Sequence, residues 1–213
     1  MADDPDLKQE IACAAARLIA DEGCDYATAK RRAARELLGD HADRRGALPD
    51  NAQVEAALRE HLQLFGGEAH PARLAALRAL ALQMMERLAT FNPHLVGAVL
   101  NGTATEHSDL HLHLFTDSAK DVEIFLLNEG VAFDVDEPAT EAAEETIRFV
   151  VRPARGRGMP ERLGVSLDVH ATDAIRTAAR GRSTDPGLHP VEQSGRAGLA
   201  AVRELVAAAG GEV

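Results

Sequence analysis

The sequence is poor in aromatic residues and has no surplus of positive charge. Among 213 residues there are one tyrosine, six phenylalanines and no tryptophan, whereas proteins that bind single-stranded nucleic acid stack its bases on aromatic rings. The 23 lysines and arginines are outnumbered by 34 aspartates and glutamates, which gives a net charge of −11. Binding to a nucleic-acid duplex needs basic surface that neutralises phosphates. We therefore expect no general duplex-binding activity.

Signals for membrane insertion and for disulfide bonds are also missing. No apolar run approaches the roughly 20 residues that a membrane-spanning helix requires. The acidic first residues, Met1 to Asp6, lack the pattern of a signal peptide. The two cysteines, Cys13 and Cys24, have the spacing of neither a metal site nor a disulfide framework. We expect a cytoplasmic protein with reduced thiols and no membrane partner, and the composition leaves its oligomeric state open.

Helical patterns dominate the first part of the chain. Apolar residues recur every three to four positions, which predicts amphipathic helices, caps included, at residues 5–22, 25–38, 50–65 and 71–89. Asp25 and Asp50 stand where N-terminal caps belong, and Gln53 completes a capping box with Asp50. Further helices are predicted at residues 118–128, 173–179 and 191–209.

Strand patterns begin after the fourth helix, at residues 95–101, 109–115, 132–136, 146–152 and 165–170. Two of these strands carry a polar residue at every second position: Asp109, His111 and His113 on one, and Ser166, Asp168 and His170 on the other. Alternate side chains of a strand point to the same face. If the two strands are neighbours, both sets converge on one surface, which would be a candidate metal or nucleotide site.

Together these elements predict an α+β fold with a mixed β-sheet core, a helical region before it and a closing C-terminal helix. We place the boundary after residue 68. Residues 1–68 would form the N-terminal helical region, and residues 69–213 the α/β domain.

A short motif connects the polar strands with phosphate chemistry. Gly102-Thr103 follows the apolar run, Ser108-Asp109-Leu-His111-Leu begins one polar strand, and Ser166-Leu-Asp168-Val lies on the other. This order resembles the polymerase-β-like nucleotidyltransferase superfamily. The pattern of that family is a hydrophobic residue, Gly, Gly or Ser, a spacer, Asp-hydrophobic-Asp/Glu-hydrophobic, and a third carboxylate on a later strand. The resemblance covers about residues 71–171 and implies a nucleotidyltransferase-like core for the predicted sheet.

The resemblance implies a nucleoside triphosphate as ligand and a divalent cation as cofactor. Asp109 and Asp168 match catalytic carboxylates, and Gly102-Thr103 matches the turn whose backbone approaches the nucleotide. His111 occupies the position of the second carboxylate, so the candidate metal ligands are Asp109, His111 and Asp168. The expected ion is Mg²⁺ or Mn²⁺, with Zn²⁺ as an alternative because histidine is a poor ligand for Mg²⁺.

An arginine-rich segment flanks Asp168. From Arg148 to Arg182 the chain has eight arginines and three acidic residues. Guanidinium groups bind phosphate oxygens through paired hydrogen bonds, which makes Arg155 and Arg157 candidate nucleotide-binding residues. The alternative is a solvated hairpin whose charge is neutralised by the acidic stretch from Asp134 to Glu145.

Three functions remain open at this point, and with them the question of whether the protein is an enzyme. The first is transfer of a nucleoside monophosphate to an unidentified acceptor. The second is a catalytically inactive nucleotidyltransferase-fold module with a regulatory or interaction role, which the replacement of a carboxylate by His111 favours. The third is a metal-dependent hydrolase that uses the aspartates and histidines. For each candidate residue the alternative is an ordinary polar residue on a solvated face.

Overall fold

The computed structural model describes residues 5–39, 48–138, 143–177, 183 and 185–210. The chain divides into two compact units. One comprises the chain up to Pro71 together with Thr103–His107, and the other comprises Ala72–Gly102 and the chain from Ser108 onward. No helix within the described ranges is long and apolar enough to cross a membrane.

The described residues of the first unit form helices α1 (Pro5–Glu22), α2 (Tyr26–Leu38) and α3 (Asn51–Phe65). Its core is built largely from alanines, such as Ala12, Ala15 and Ala29, with larger side chains from Ile11 and Leu58. Small side chains at the contacts let helices approach closely, and the burial of each apolar side chain stabilises the unit.

The predicted caps of the first unit are confirmed. The Asp25 carboxylate accepts hydrogen bonds from the backbone amides of Ala27 and Thr28, each at 3.0 Å. Asp50 and Gln53 form the complete capping box at the start of α3, because each side chain accepts from the backbone amide of the other residue. These bonds satisfy amides that have no partner within the helix.

The second unit contains the sheet. The boundary between the two units lies within helix α4 (Ala69–Arg87). After α4, the elements of the second unit are, in chain order, β1 (His94–Val96), α5 (Gly97–Asn101), β2 (Leu110–Phe115), α6 (Ala119–Asn128), β3 (Asp134–Asp136), β4 (Glu145–Val151), β5 (Leu163–His170), α7 (Pro190–Gln193), β6 (Ala197–Gly198) and α8 (Leu199–Gly210).

The six strands form one mixed sheet in the order β3-β4-β5-β2-β1-β6. Strands β2 and β5 are parallel neighbours, and the remaining pairs are antiparallel. The predicted α+β class with a mixed sheet is therefore confirmed. A parallel pair needs a crossover connection, and α6 with the β3–β4 hairpin provides it here.

The alternation along β2 separates an apolar face of the sheet from a polar one. Leu110, Leu112 and Leu114 are fully buried on the first face. On the second face, His111 pairs with Ser166, His113 with Asp168, and Phe115 with His170. The two sets of polar residues thus share one surface, which we call the polar face.

Two predicted elements differ from the structure because of glycines. The predicted strand at residues 95–101 is wrong beyond Val96: Gly97 has φ +71°, which interrupts the extended backbone, and α5 follows. The predicted helix at residues 191–209 is broken near Gly195, which also has φ +71°, and becomes α7, β6 and α8.

A third predicted helix is shorter and tighter than expected. The segment predicted as a helix at residues 173–179 contains a 3₁₀ turn at Thr172–Arg176, while residues 178 and 179 lie outside the described part of the chain.

Candidate functional site

Asp109 lies at the beginning of β2, on the edge of the polar face. Its side chain is exposed and rests on Gly164 of the neighbouring strand. A Cβ atom added to Gly164 would come within 2.3 Å of Asp109 Oδ1, which is shorter than any contact that real Cβ atoms make. The absence of a side chain at residue 164 therefore creates the space in which the Asp109 carboxylate sits.

Asp168 lies far from Asp109 along the same pair of strands. It is four residues beyond Gly164 on β5, which is roughly 13 Å along a strand. One ion brings two carboxylate oxygens within about 4 Å of each other, since each Mg²⁺ ligand lies about 2.1 Å from the metal. The structure does not bring these two predicted catalytic residues together, and a single ion does not reach both carboxylates.

Asp168 is engaged inside the sheet instead. Its Oδ1 accepts a hydrogen bond of 2.7 Å from the hydroxyl of Thr146, which is fully buried on β4. Its Oδ2 lies 3.7 Å from Nε2 of His113. This last separation is longer than a hydrogen bond, so the two groups interact through their charge distribution only.

His113 belongs to what we call the histidine cluster, formed by His94, His113 and His170 with Phe115 between them. The rings of His113 and His170 lie 4.5 Å apart, and His170 stacks on Phe115 at 5.3 Å. His94 meets the edge of Phe115 at 5.1 Å. Rings at these distances and tilts pack favourably.

Burial lowers the pKa of two members of the histidine cluster, His113 and His94. The pKa of His113 is lowered from 6.5 to about 4. Desolvation is the largest cause and the neighbouring His170 the second, whereas the nearby Asp168 raises the pKa. Burial also lowers the pKa of His94, against the hydrogen bond with the Asn92 carbonyl. Both imidazoles are neutral at pH 7, because a charged form is disfavoured where water is excluded.

Arg196 is a further charged residue at the histidine cluster, and the sequence reading did not single it out. Its guanidinium donates to the backbone carbonyls of Ile175 and Thr177 at 2.6 and 3.2 Å. It also lies over the Phe115 ring, 4.9 Å from the centroid. A guanidinium in this position gains cation–π attraction and holds the segment after β5 against the sheet.

His111, in the second carboxylate position of the family pattern, is half-buried between Val96 of β1 and Ser166 of β5. An ideal Cβ on Gly97 would lie 3.9 Å from the His111 side chain. His111 and Asp109 therefore share one side of the sheet near the start of α5, away from the histidine cluster.

The structure places Gly102 and Thr103 at the end of α5. Gly102 is the C-cap of α5, with φ +84°, and Thr103 is buried and belongs to the first unit. Val96-Gly97-Ala98, by contrast, lies between β1 and α5 and has the order hydrophobic, Gly, small residue. The apolar run predicts a continuous strand here, and the left-handed backbone of Gly97 ends that strand.

The arginine-rich segment divides into distinct environments. Arg155 and Arg157 are exposed in the connection from β4 to β5, where Gly158 packs on the backbone of Ala72. Arg148 forms an ion pair of 3.2 Å with Asp136. Two other arginines of the segment, Arg152 and Arg162, line a cavity of about 590 Å³. Arg180 and Arg182 lie outside the described residues.

The donor atoms of the polar face do not match a two-ion site. Across the described ranges, no group of three histidine, cysteine, aspartate or glutamate side chains is arranged to hold a metal ion. The expected ligands Asp109 and His111 lie at one end of β2, and Asp168 lies at the other, bonded to Thr146.

Comparisons with family models, with curated proteins and with solved structures gave no significant match.

Proposed function

We propose that the protein is a nucleotidyltransferase-like module that binds its ligand without transferring a nucleotidyl group. The observation that carries the proposal is the register between β2 and β5. The carboxylates of a two-ion site must reach ions about 3.5–4 Å apart, so a third carboxylate belongs beside Asp109 or His111. The residues of β5 at these levels are Gly164 and Ser166. Of the three positions at which the family pattern has a carboxylate, only the first, Asp109, then has an acidic residue at the site.

The ligand that we propose is a nucleotide, because the resemblance of the motif to nucleotidyltransferases points to one. Asp109 is exposed, His111 is half-exposed, and Gly97 adds no side chain next to them. This end of the polar face is therefore accessible to a ligand, whereas Asp168 and His170 are buried.

A binding and turnover experiment tests the proposal directly. Calorimetric titration with ATP, GTP, CTP and UTP, each with Mg²⁺ or Mn²⁺, measures binding, and a pyrophosphate assay measures transfer. We expect binding of at least one nucleotide and no pyrophosphate release above background. Pyrophosphate release that Asp109→Asn abolishes would overturn the proposal, and failure of all four nucleotides to bind would remove the nucleotide as ligand.

Restoring the second carboxylate provides an independent test. His111→Asp places two acids two residues apart on one face, which brings their side chains within reach of one ion. We expect the affinity for Mn²⁺, measured by electron paramagnetic resonance, to rise at least tenfold, and Asp109→Asn to cancel the gain. Asn128→Asp adds the same charge on the exposed end of α6 and is the control. Equal affinities of both variants would show that Asp109 is not directed toward residue 111.

A second candidate function is nucleotidyl transfer with a single ion held by Asp109 and His111. It is favoured by the placement of both side chains on the same end of the polar face, two residues apart on one strand. In that case pyrophosphate release would be supported by Mn²⁺ or Zn²⁺ rather than Mg²⁺, because imidazole suits those ions. Asp109→Asn and His111→Ala would each abolish it.

A further inference from the structure

A cavity of about 590 Å³ lies at the edge of the sheet formed by β3 and β4. Its lining consists of Ala132, Phe133, Asp134, Phe149, Val150, Arg152 and Arg162. The volume is within the range of about 300–1,000 Å³ that is typical of sites for small ligands. None of these residues belongs to the motif on β2, although the lining residue Val150 pairs with Gly164, on which Asp109 rests.

The two arginines of the cavity lie just beyond the paired part of β4 and β5. The last pair of the β4–β5 ladder is Val151 with Leu163, so Arg152 and Arg162 are the next residues on each side. Like charges that line one cavity repel each other. An anion between the two guanidinium groups removes this repulsion and accepts paired hydrogen bonds from them.

The local acids do not neutralise this pair. The neighbouring arginine, Arg148, already has Asp136 as its partner. Within the part of the chain that the structure describes, neither Arg152 nor Arg162 forms an ion pair, and Asp134 is the one acidic residue in the lining. The lining therefore has an excess of one positive charge.

The rest of the lining is apolar and partly aromatic. Phe149 is buried, Phe133 is half-buried, and Val150 is 53% exposed. Phe149 and Val150 are consecutive residues of β4, so their side chains lie on opposite faces of the strand. The accessible parts of Val150 and of the Phe133 ring favour contact with a flat apolar group, since covering that surface removes it from water.

We propose that this cavity binds a small anionic ligand with a flat apolar body. The Arg152 and Arg162 guanidinium groups hold the anion, and Phe133 and Val150 contact the body. The proposal does not depend on the function of the Asp109 end of the polar face.

The probe for the test is 8-anilinonaphthalene-1-sulfonate, an aromatic sulfonate that fluoresces in apolar surroundings. N-phenyl-1-naphthylamine has the same rings without the anion and is the neutral comparison. We expect the full chain to bind the sulfonate at least tenfold more tightly than the neutral compound. That ratio is the effect expected from charge-assisted hydrogen bonds at a partly exposed site.

Two variants identify the site of binding. Arg152→Gln/Arg162→Gln should weaken sulfonate binding about tenfold and leave the neutral compound unaffected. Ala132→Trp should block both compounds by filling the cavity, and Ala132 is exposed, so the substitution does not disturb the core. Far-UV circular dichroism verifies that each variant is folded.

The control variant removes the same number of positive charges from another part of the protein surface. Arg35→Gln/Arg176→Gln changes two exposed arginines that do not line the cavity, and sulfonate affinity should stay within twofold of that of the unmodified protein. Equal losses in both double variants would overturn the proposal, as would equal affinity for the charged and neutral probes. Asp109→Asn should not weaken sulfonate binding, because it removes a negative charge near the lining, and this separates the test from that of the proposed function.

Discussion

Arg78 is the residue whose replacement should cost the second unit most stability. Its side chain is 7% exposed and forms an ion pair of 2.5 Å with Glu192, which is itself 13% exposed. The guanidinium also donates to the carbonyls of Val99 and Leu100 at 3.0 and 2.9 Å. These carbonyls belong to the last residues of α5, where a helix has no internal donors. One side chain therefore connects α4, α5 and α7.

The expected cost of Arg78→Met follows from what the substitution leaves behind. The Glu192 carboxylate keeps its bond from the His189 amide but becomes a buried charge without its cation, and two carbonyls lose their donor. Removing one partner of a buried pair typically costs about 3–5 kcal/mol, a large part of the roughly 5–15 kcal/mol that stabilises a domain. Arg78→Met/Glu192→Met should recover part of the loss, because it removes both buried charges.

The assay must report on the second unit specifically. The one tyrosine, Tyr26, lies in the first unit and there is no tryptophan, so intrinsic fluorescence does not follow the sheet. Hydrogen exchange of the amides in β2 and β5, read by mass spectrometry, gives the free energy of opening of that unit.

A matched control lies on the same helix. Arg87→Met removes an exposed ion pair with Glu129 and should cost less than about 1 kcal/mol. If Arg78→Met costs no more than Arg87→Met, the ion pair is not what holds the three helices together.

Three further predictions concern single groups. His113 has a pKa lowered to about 4 by burial and by His170, so the unfolded chain binds a proton between pH 6.5 and 4 that the folded chain does not. The contribution of His113 to the free energy of unfolding is therefore complete above about pH 6.5 and decreases by up to roughly 3 kcal/mol as the pH falls to 4. Urea unfolding measured at a series of pH values should show a weaker pH dependence for His113→Gln than for the unmodified protein. The same pH dependence in both would contradict this prediction. Thr146→Val removes the donor to the buried Asp168 carboxylate and should cost about 1.5–3 kcal/mol, seen as faster hydrogen exchange in β5; no change would mean that another group replaces the hydroxyl. Asp25→Ala should cost about 1 kcal/mol and Asp25→Asn much less, measured by urea unfolding with Tyr26 fluorescence; equal losses would rule out capping as the cause.

Local sequence patterns predict secondary structure correctly where a short segment determines its own conformation. Asp25 and the Asp50–Gln53 capping box were predicted correctly, because a cap needs residues only a few positions apart. The alternation in Leu110–Phe115 correctly predicted a strand with one apolar face, since period two follows from backbone geometry alone. Residues 97–101 were predicted wrongly, because the apolar run suits a strand and the left-handed backbone of Gly97 was not recognised as its end.

The sequence by itself therefore determined which side chains of β2 and β5 lie on the polar face, including Asp109, His111 and Asp168. Only the tertiary structure decided how far apart they are. A shift of one residue between two strands moves every side chain to the other face, but a shift of two residues keeps every side chain on its own face. The alternation of polar and apolar residues therefore does not distinguish two registers that differ by two residues. The observed register, which sets Gly164 beside Asp109 and His113 beside Asp168, depends on the packing of the whole unit, and that packing places the two carboxylates at opposite ends of the strand.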